Sequence, residues 1–123
     1  MSLNLIAPVH LLVNASLGDD LESRAVHIMY SDNVGIQISW TGTPTGDFGV
    51  ELSNDATLDS LGTVSGGTWT PMVLTFPNSP SASGSDGNGF ISLNQVPAAF
   101  IRLTYSSESG SGACNAYLTA KPV

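Results

Sequence analysis

Charged side chains are scarce in this sequence. Asp, Glu, Lys and Arg make up 11% of 123 residues, whereas an ordinary soluble domain has about a quarter. Only Arg24, Arg102 and Lys121 are strong bases, and the net charge is −7. A chain with so few cations cannot neutralise a row of phosphates or bind an anionic lipid surface. We therefore expect neither a nucleic acid nor a membrane as a partner.

Cysteine and long apolar runs are also lacking. The single cysteine, Cys114, excludes an internal disulfide, and its apolar surroundings favour packing as a small hydrophobe. No apolar segment approaches the roughly 20 residues that a membrane helix needs. The first ten residues lack the basic start of a signal peptide. We expect a soluble product made in the cytoplasm without export.

Catalytic and metal-binding patterns are missing as well. His10 and His27 have no cysteine or carboxylate at ligand spacing, and no serine lies in a Gly-x-Ser-x-Gly elbow. The acidic residues are mostly scattered singly. Those at Asp55 and Asp86 only faintly resemble a calcium loop, which leaves calcium as a minor alternative. We predict a protein that is not an enzyme and has no metal and no cofactor.

Alternation of apolar and polar residues is what the sequence does contain. Two runs in residues 34–53 alternate on either side of a Gly/Thr/Pro turn, and two more in residues 99–119 alternate around a Ser/Gly turn. Period-2 alternation on both sides of a turn predicts an antiparallel hairpin with one buried face. The positions predicted to be buried are Ile36, Ile38, Trp40, Val50, Leu52, Ile101 and Leu103.

Shorter alternating runs occur elsewhere, and residues 54–67 and 77–89 consist mainly of turn formers, with a short strand or turn near 61–64. The pattern amounts to about eight strands with negligible helix. We predict one all-β domain over residues 1–123, an antiparallel β-sandwich or jelly roll.

The N-terminal segment allows two interpretations. Leu3 and Leu5 continue the alternation of the first strand, but Pro8 lacks a backbone donor and restricts that strand to an edge or breaks it. Residues 1–8 either dock on the chain's own sheet or form an arm that adds to a neighbouring subunit. In the second case Leu3, Leu5 and Ile6 are candidates for an assembly interface.

Two further features leave alternatives open. Trp40, Trp69, Phe48 and Tyr105 form either part of the core, which their strand positions favour, or a platform for stacking sugars. Arg102 is the only charge in its run. It either lies outward with its head group in water or pairs with a carboxylate such as Glu51 across the sheets.

Five short stretches carry a resemblance to a known group. They are Ile-Gln-x-Ser-Trp-Thr-Gly-Thr-Pro-Thr-Gly-x-Phe at 36–48, Trp-Thr at 69–70, Phe-Ile-Arg-Leu-x-Tyr at 100–105, Ser-Gly-x-Gly at 109–112 and Ala-Lys at 120–121. Over residues 34–121 the chain resembles a loose group of small virion proteins of tailed phages.

That resemblance implies a structural part of a phage particle and supplies no catalytic residues. The expected function is a head decoration or cement protein that binds the major capsid protein or another virion structural protein. A head-fibre or tail-associated subunit is the other role that it implies. It also implies a homo-oligomer, a trimer by preference, localised to the virion. The alternative function is a carbohydrate-binding or receptor-binding module of a tail or fibre.

Overall fold

The chain folds into strands joined by turns. The computed structural model describes residues 6–28, 31–75, 78–94, 96 and 98–122, and no helix occurs among them. The strands are β1 (Ile6–Ser16), β2 (Leu21–Glu22), β3 (Val26–His27), β4 (Ser31–Gly42), β5 (Thr45–Ser53), β6 (Thr57–Leu58), β7 (Val64–Ser65), β8 (Thr70–Met72), β9 (Ser81–Ser83), β10 (Gly87–Asn94), β11 (Phe100–Ser109) and β12 (Gly112–Pro122).

These strands form two main sheets and one small pair. The four-stranded sheet has the order β1-β12-β4-β10. The six-stranded sheet has the order β2-β11-β5-β8, with β3 also on β11 and β9 also on β5. Strands β2 and β3 thus share one edge, and β8 and β9 share the other, so each sheet has four strand positions.

The order of those eight positions is that of a jelly roll. The chain changes sheet at every step except between β5 and the β8/β9 edge, where the separate pair β6-β7 is inserted. The predicted antiparallel sandwich of about eight strands is therefore confirmed. The excess over eight comes from two broken edges and one inserted hairpin. Strands β6 and β9 formed where the sequence predicted loops, and β7 begins at the end of the short strand or turn predicted near 61–64.

Ser23 explains why one edge is broken. Its backbone N–H donates to the carbonyl of Leu103 at 2.8 Å, and the N–H of Leu103 donates to the Ser23 hydroxyl at 2.9 Å. The hydroxyl thus takes the place of a backbone acceptor between β2 and β3. Ser23 is buried at this position.

The core lies between the two sheets. All the residues predicted to be buried are buried except Leu52, which is half-buried because its strand partner is the short edge strand β8. Cys114 is fully buried, and burial raises the pKa of its thiol to about 11. The predicted role of Cys114 as a packed hydrophobe is confirmed.

The two predicted hairpins are wrong, although their strands are right. β4 pairs with β10 and β12, whereas β5 pairs with β11 in the other sheet. The same separation applies to β11 and β12. Each turn is a corner that carries the chain across the sandwich. The buried faces of the two strands point at each other instead of lying side by side.

The two corners, residues 42–44 and 110–112, lie in contact. Gly42 is the strand partner of Gly112, and the N–H of Thr43 donates to the carbonyl of Ser111 at 2.9 Å. Gly110 has a φ of 77°, and a Cβ there would overlap the carbonyl oxygen of Thr43. Only glycine permits this backbone conformation and this approach together.

Strand β1 lies at the edge of its sheet, one of the two places open to Pro8. Ile6 is the strand partner of Ala120, so residues 6–8 belong to the chain's own sheet. Leu3 and Leu5 lie outside the described residues. The assembly role of Leu3, Leu5 and Ile6 stays a prediction.

The expected alternation of β1 fails in its second half. Register shifts occur between His10 and Leu12 and between Leu12 and Ala15. Leu12 is consequently buried, and Val13 is 66% exposed. Bulges of this kind insert an extra residue and turn the following side chains to the other face.

Substituting Gly110 tests the corner contact. We expect Gly110→Ala to lower the free energy of unfolding by more than about 3 kcal/mol, because backbone strain and steric overlap both act there. The matched control is Gly62→Ala. Gly62 also has a positive φ, but a Cβ there meets nothing within 4 Å, so its cost should be about 1–2 kcal/mol. Equal costs in urea unfolding would contradict the corner contact.

The hydroxyl of Tyr105 offers a second test. This residue is buried, and among the described residues no hydrogen-bond partner reaches its Oη. Burial also raises the pKa of Tyr105 above its ordinary value. Because an unpaired buried hydroxyl is unfavourable, Tyr105→Phe should match the parent stability or exceed it by up to about 2 kcal/mol. Tyr117→Phe, on the outer face, is the control and should change little. A clear loss in Tyr105→Phe would mean that the hydroxyl has a partner.

Candidate functional site

The inserted pair β6-β7 presents apolar side chains to solvent. We call residues 57–65 the display hairpin. Oδ1 of Asp59 accepts hydrogen bonds from the N–H groups of Leu61 and Thr63, each at 2.9 Å. The N–H of Asp59 donates to the carbonyl of Thr63 at 3.0 Å. Leu61, inside this closed loop, is 89% exposed, and Leu58 is 41% exposed. The loop is therefore ordered by its own hydrogen bonds while its leucines remain uncovered.

Asp55 closes the base of the display hairpin. Its Oδ1 accepts the N–H of Thr68 at 2.7 Å and the hydroxyl of Ser53 at 2.8 Å. These hydrogen bonds, first that of the Thr68 N–H, hold the pKa of Asp55 below its ordinary value. The residues before and after the hairpin are thus joined through one carboxylate.

Trp69 connects the hairpin to the sheet behind it. Its indole N–H donates to the carbonyl of Gly66 at 2.9 Å, directly after β7. The guanidinium carbon of Arg102 lies 4.4 Å from the centre of the Trp69 ring, within the distance of a cation–π interaction. Trp69 is half-buried beneath this contact.

Arg102 is in turn held by two carboxylates. Its Nε and Nη2 lie 2.7 Å and 2.6 Å from Oε1 of Glu51, and Nη2 lies 2.8 Å from Oε2 of Glu22. Glu51 is the direct strand partner of Arg102. Both alternatives for Arg102 thus contributed: it lies on the outward face and also pairs with Glu51. The pair joins neighbouring strands of one sheet, not the two sheets.

The cluster of Arg102, Glu51, Glu22 and Trp69 therefore positions the display hairpin. Two carboxylates fix the guanidinium, the guanidinium covers the indole, and the indole holds the backbone after β7. The half-buried pair of Arg102 and Glu51 is less screened by salt than an isolated surface pair, whereas Glu22 is exposed. The cluster thus fixes the position of the display hairpin, and its charged groups pair with one another.

The sugar platform, the less favoured alternative for the aromatic side chains, does not form. Trp40, Phe48 and Tyr105 are all buried. The rings of Trp40 and Phe48 stack at 5.2 Å, and those of Phe48 and Tyr105 lie 4.8 Å apart. Core packing, the favoured alternative, holds for these three rings. Trp69 alone of the four reaches the surface, and Arg102 covers it.

The carboxylates of the faint calcium loops have structural partners. Asp55 closes the hairpin base, and Oδ1 of Asp86 accepts the N–H of Gly42 at 2.7 Å. Across the described ranges, no group of three or more His, Cys, Asp and Glu side chains is placed to hold a metal ion.

A second surface, which was not predicted from the sequence, is the outer face of the four-stranded sheet. We call it the neutral face. One row across it consists of His10, Tyr117, Gln37 and Phe90, consecutive strand partners on β1, β12, β4 and β10. The available signal was alternation itself, because Tyr117 follows buried Ala116 and Phe90 precedes buried Ile91.

Comparison with known proteins identifies no family. No family model matches this chain, and no curated protein matches it. Among solved structures, the K3 cleaved adhesin domain of Lys-gingipain from Porphyromonas gingivalis w83 is similar with a TM-score of 0.41 and 8% identity. The match covers 93% of this chain and 73% of that one. Similarity at this level carries no argument about function.

The described residues include no helix of the length and apolarity required to span a bilayer.

Acid should open the base of the display hairpin. Because the folded-state pKa of Asp55 is lowered, its ionised form adds stability that is full above the ordinary pKa, near 4. That stability is lost as the pH falls through the lowered value. We expect the exchange of the Thr68 amide hydrogen to accelerate as the pH falls below about 4, relative to an unstructured peptide. In Asp55→Asn the amide should be less protected at pH 7 and lose this acid dependence.

The control variant is Asp19→Asn, which changes an exposed aspartate outside the hairpin. Its Thr68 amide should behave as in the parent. If Asp55→Asn leaves the protection of Thr68 unchanged at pH 7, then the charge of Asp55 does not strengthen the hydrogen bond that closes the hairpin.

Proposed function

We propose that this protein is a non-enzymatic virion structural protein, a capsid decoration protein that binds the major capsid protein and stabilises the head lattice. The observation that carries the proposal is Leu61, 89% exposed on an ordered loop. In this proposal the display hairpin is the part that docks.

The energetics of the hairpin favour docking onto another protein. Burying a leucine side chain fully is worth about 1.5–3 kcal/mol, and Leu58 and Leu61 are both available on one hairpin. The hydrogen bonds to Asp59 hold the loop in one conformation before binding. Less ordering entropy is then lost when the complex forms.

The surroundings of the hairpin suit a lattice partner. A few well-packed residues near the centre of an interface supply most of its binding energy, and the buried centre is more apolar than the polar rim around it. The rim here consists of small polar residues such as Thr57, Ser60 and Thr63, all exposed. The Arg102 cluster would keep the hairpin in the same position on the sheet when a partner binds.

Two general considerations support the same class of protein. Jelly rolls occur in viral capsid proteins as well as in lectins, although a fold alone does not define a function. The resemblance of residues 34–121 to small virion proteins of tailed phages favours the capsid over the lectin alternative. Localisation to the virion and assembly as a homo-oligomer, with a trimer at three-fold positions, belong to the proposal.

Substitution of Leu61 tests the proposal. The protein would be mixed with head shells assembled from the major capsid protein that the proposal names as its partner, and bound protein measured by co-sedimentation. We expect Leu61→Ser to weaken binding by about 10- to 30-fold, the loss typical of a central apolar anchor. Folding stability should stay within about 0.5 kcal/mol of the parent, because Leu61 is exposed.

The matched control is Val13→Ser, an exposed valine on β1, which should bind as the parent does. If Leu61→Ser and Val13→Ser bind shells equally well, the display hairpin is not the docking element. If the parent does not bind shells at all, the decoration function itself is wrong.

A further inference from the structure

The neutral face offers rings and amides in one row. His10 and Tyr117 are in edge-to-face contact, with ring centres 4.6 Å apart. Gln37 is the strand partner of both Tyr117 and Phe90. Neighbouring strands lie about 4.8 Å apart, so the rings of Tyr117 and Phe90 start from backbones roughly 9.6 Å apart with an exposed amide between them.

Phe90 lies across the sheet surface instead of pointing into a core. A Cβ built on Gly35 would lie 2.8 Å from Cζ of Phe90, so the ring occupies the space that the glycine leaves. Phe90 is nevertheless 51% exposed. One side of the ring thus packs on the sheet and the other side faces solvent. Such an exposed aromatic ring is unusual on an edge strand, because exposed apolar groups at a sheet edge favour aggregation.

The neutral face is free of charge among its described side chains, in a chain of net charge −7. The groups around the rings are hydroxyls and amides such as Ser39, Asn115 and Thr119. Hydroxyls and amides both donate and accept hydrogen bonds. Among these described side chains a charged ligand would find no carboxylate, lysine or arginine to pair with, whereas a ligand rich in hydroxyl groups would find partners of both kinds.

We propose that the neutral face binds a neutral oligosaccharide. A pyranose ring has an apolar face of C–H groups and a rim of hydroxyls. The face of Phe90 and the exposed part of Tyr117 would contact the C–H groups of two sugar units. The amides of Gln37 and Asn115 would hydrogen-bond the hydroxyls between and beside them. Small-molecule sites usually combine apolar contacts with a small number of polar groups that fix the orientation of the ligand.

This site is separate from the display hairpin. The hairpin is inserted beside the six-stranded sheet, whereas the neutral face is the outer surface of the other sheet. A particle-bound subunit could therefore engage a glycan without releasing its shell. The inference goes beyond the proposed docking function and does not depend on it.

Calorimetric titration of the full chain with maltohexaose, cellohexaose and chitohexaose tests the inference. A hexamer of galacturonate serves as the anionic comparison. We expect at least one neutral hexasaccharide to bind with a Kd below about 1 mM and the anionic one not to bind. Phe90→Ala should weaken that binding at least tenfold, since ring stacking and the associated burial exceed about 1.4 kcal/mol.

Two further variants separate binding from folding. Gln37→Ala removes an exposed amide and should also weaken binding. Val73→Ala, at a residue that is 86% exposed and outside the neutral face, should bind as the parent does. Thermal unfolding of each variant checks that the fold is retained.

Three outcomes would overturn the proposal. The first is that none of the neutral hexasaccharides binds at millimolar concentration. The second is that Phe90→Ala and Gln37→Ala, both folded, bind as tightly as the parent. The third is a concentration-dependent dimer of the parent that Phe90→Ala abolishes, which would mean that a second copy of this chain covers the face.

Discussion

The contact between two glycine-containing corners determines how this chain closes. At residues 42–44 and 110–112 the chain crosses twice from one sheet to the other, and the crossings lie against each other. Because the corners fix β4 beside β12 and β5 beside β11 at the same end, they set the register of both sheets together. The inward rings of Trp40, Phe48 and Tyr105 can then meet across the core.

Alternation predicted the strands and most of the core, but it could not predict which strands pair. The sequence pattern of a turn between two alternating runs is the same whether the two strands share a sheet or face each other across a core. What distinguishes them here is the approach of Gly110 to Thr43, a contact between residues far apart in sequence. Leu52 and Val13 departed from the pattern for local reasons, a short partner strand and a pair of bulges.

The candidate sites were only partly predictable. The sequence located the charge of Arg102 and a possible partner in Glu51, because both stand out in uncharged surroundings. It did not predict the display hairpin, since Asp55 and Asp59 order it through backbone N–H groups that no residue pattern reveals. The residues of the neutral face could be identified from the sequence, because they alternate with the buried positions. Polar and aromatic residues facing water predict no ligand, however, until the order and register of their strands are known.

The central claim is that an ordered apolar hairpin docks onto a capsid lattice while the rest of the sandwich holds it in place. Amide hydrogen exchange of the free protein and of the protein bound to head shells tests this most directly. The account predicts measurable protection of residues 57–65 in the free protein, stronger protection of the same residues on shells, and unchanged exchange in β10. Equal exchange of residues 57–65 in the two states would contradict it.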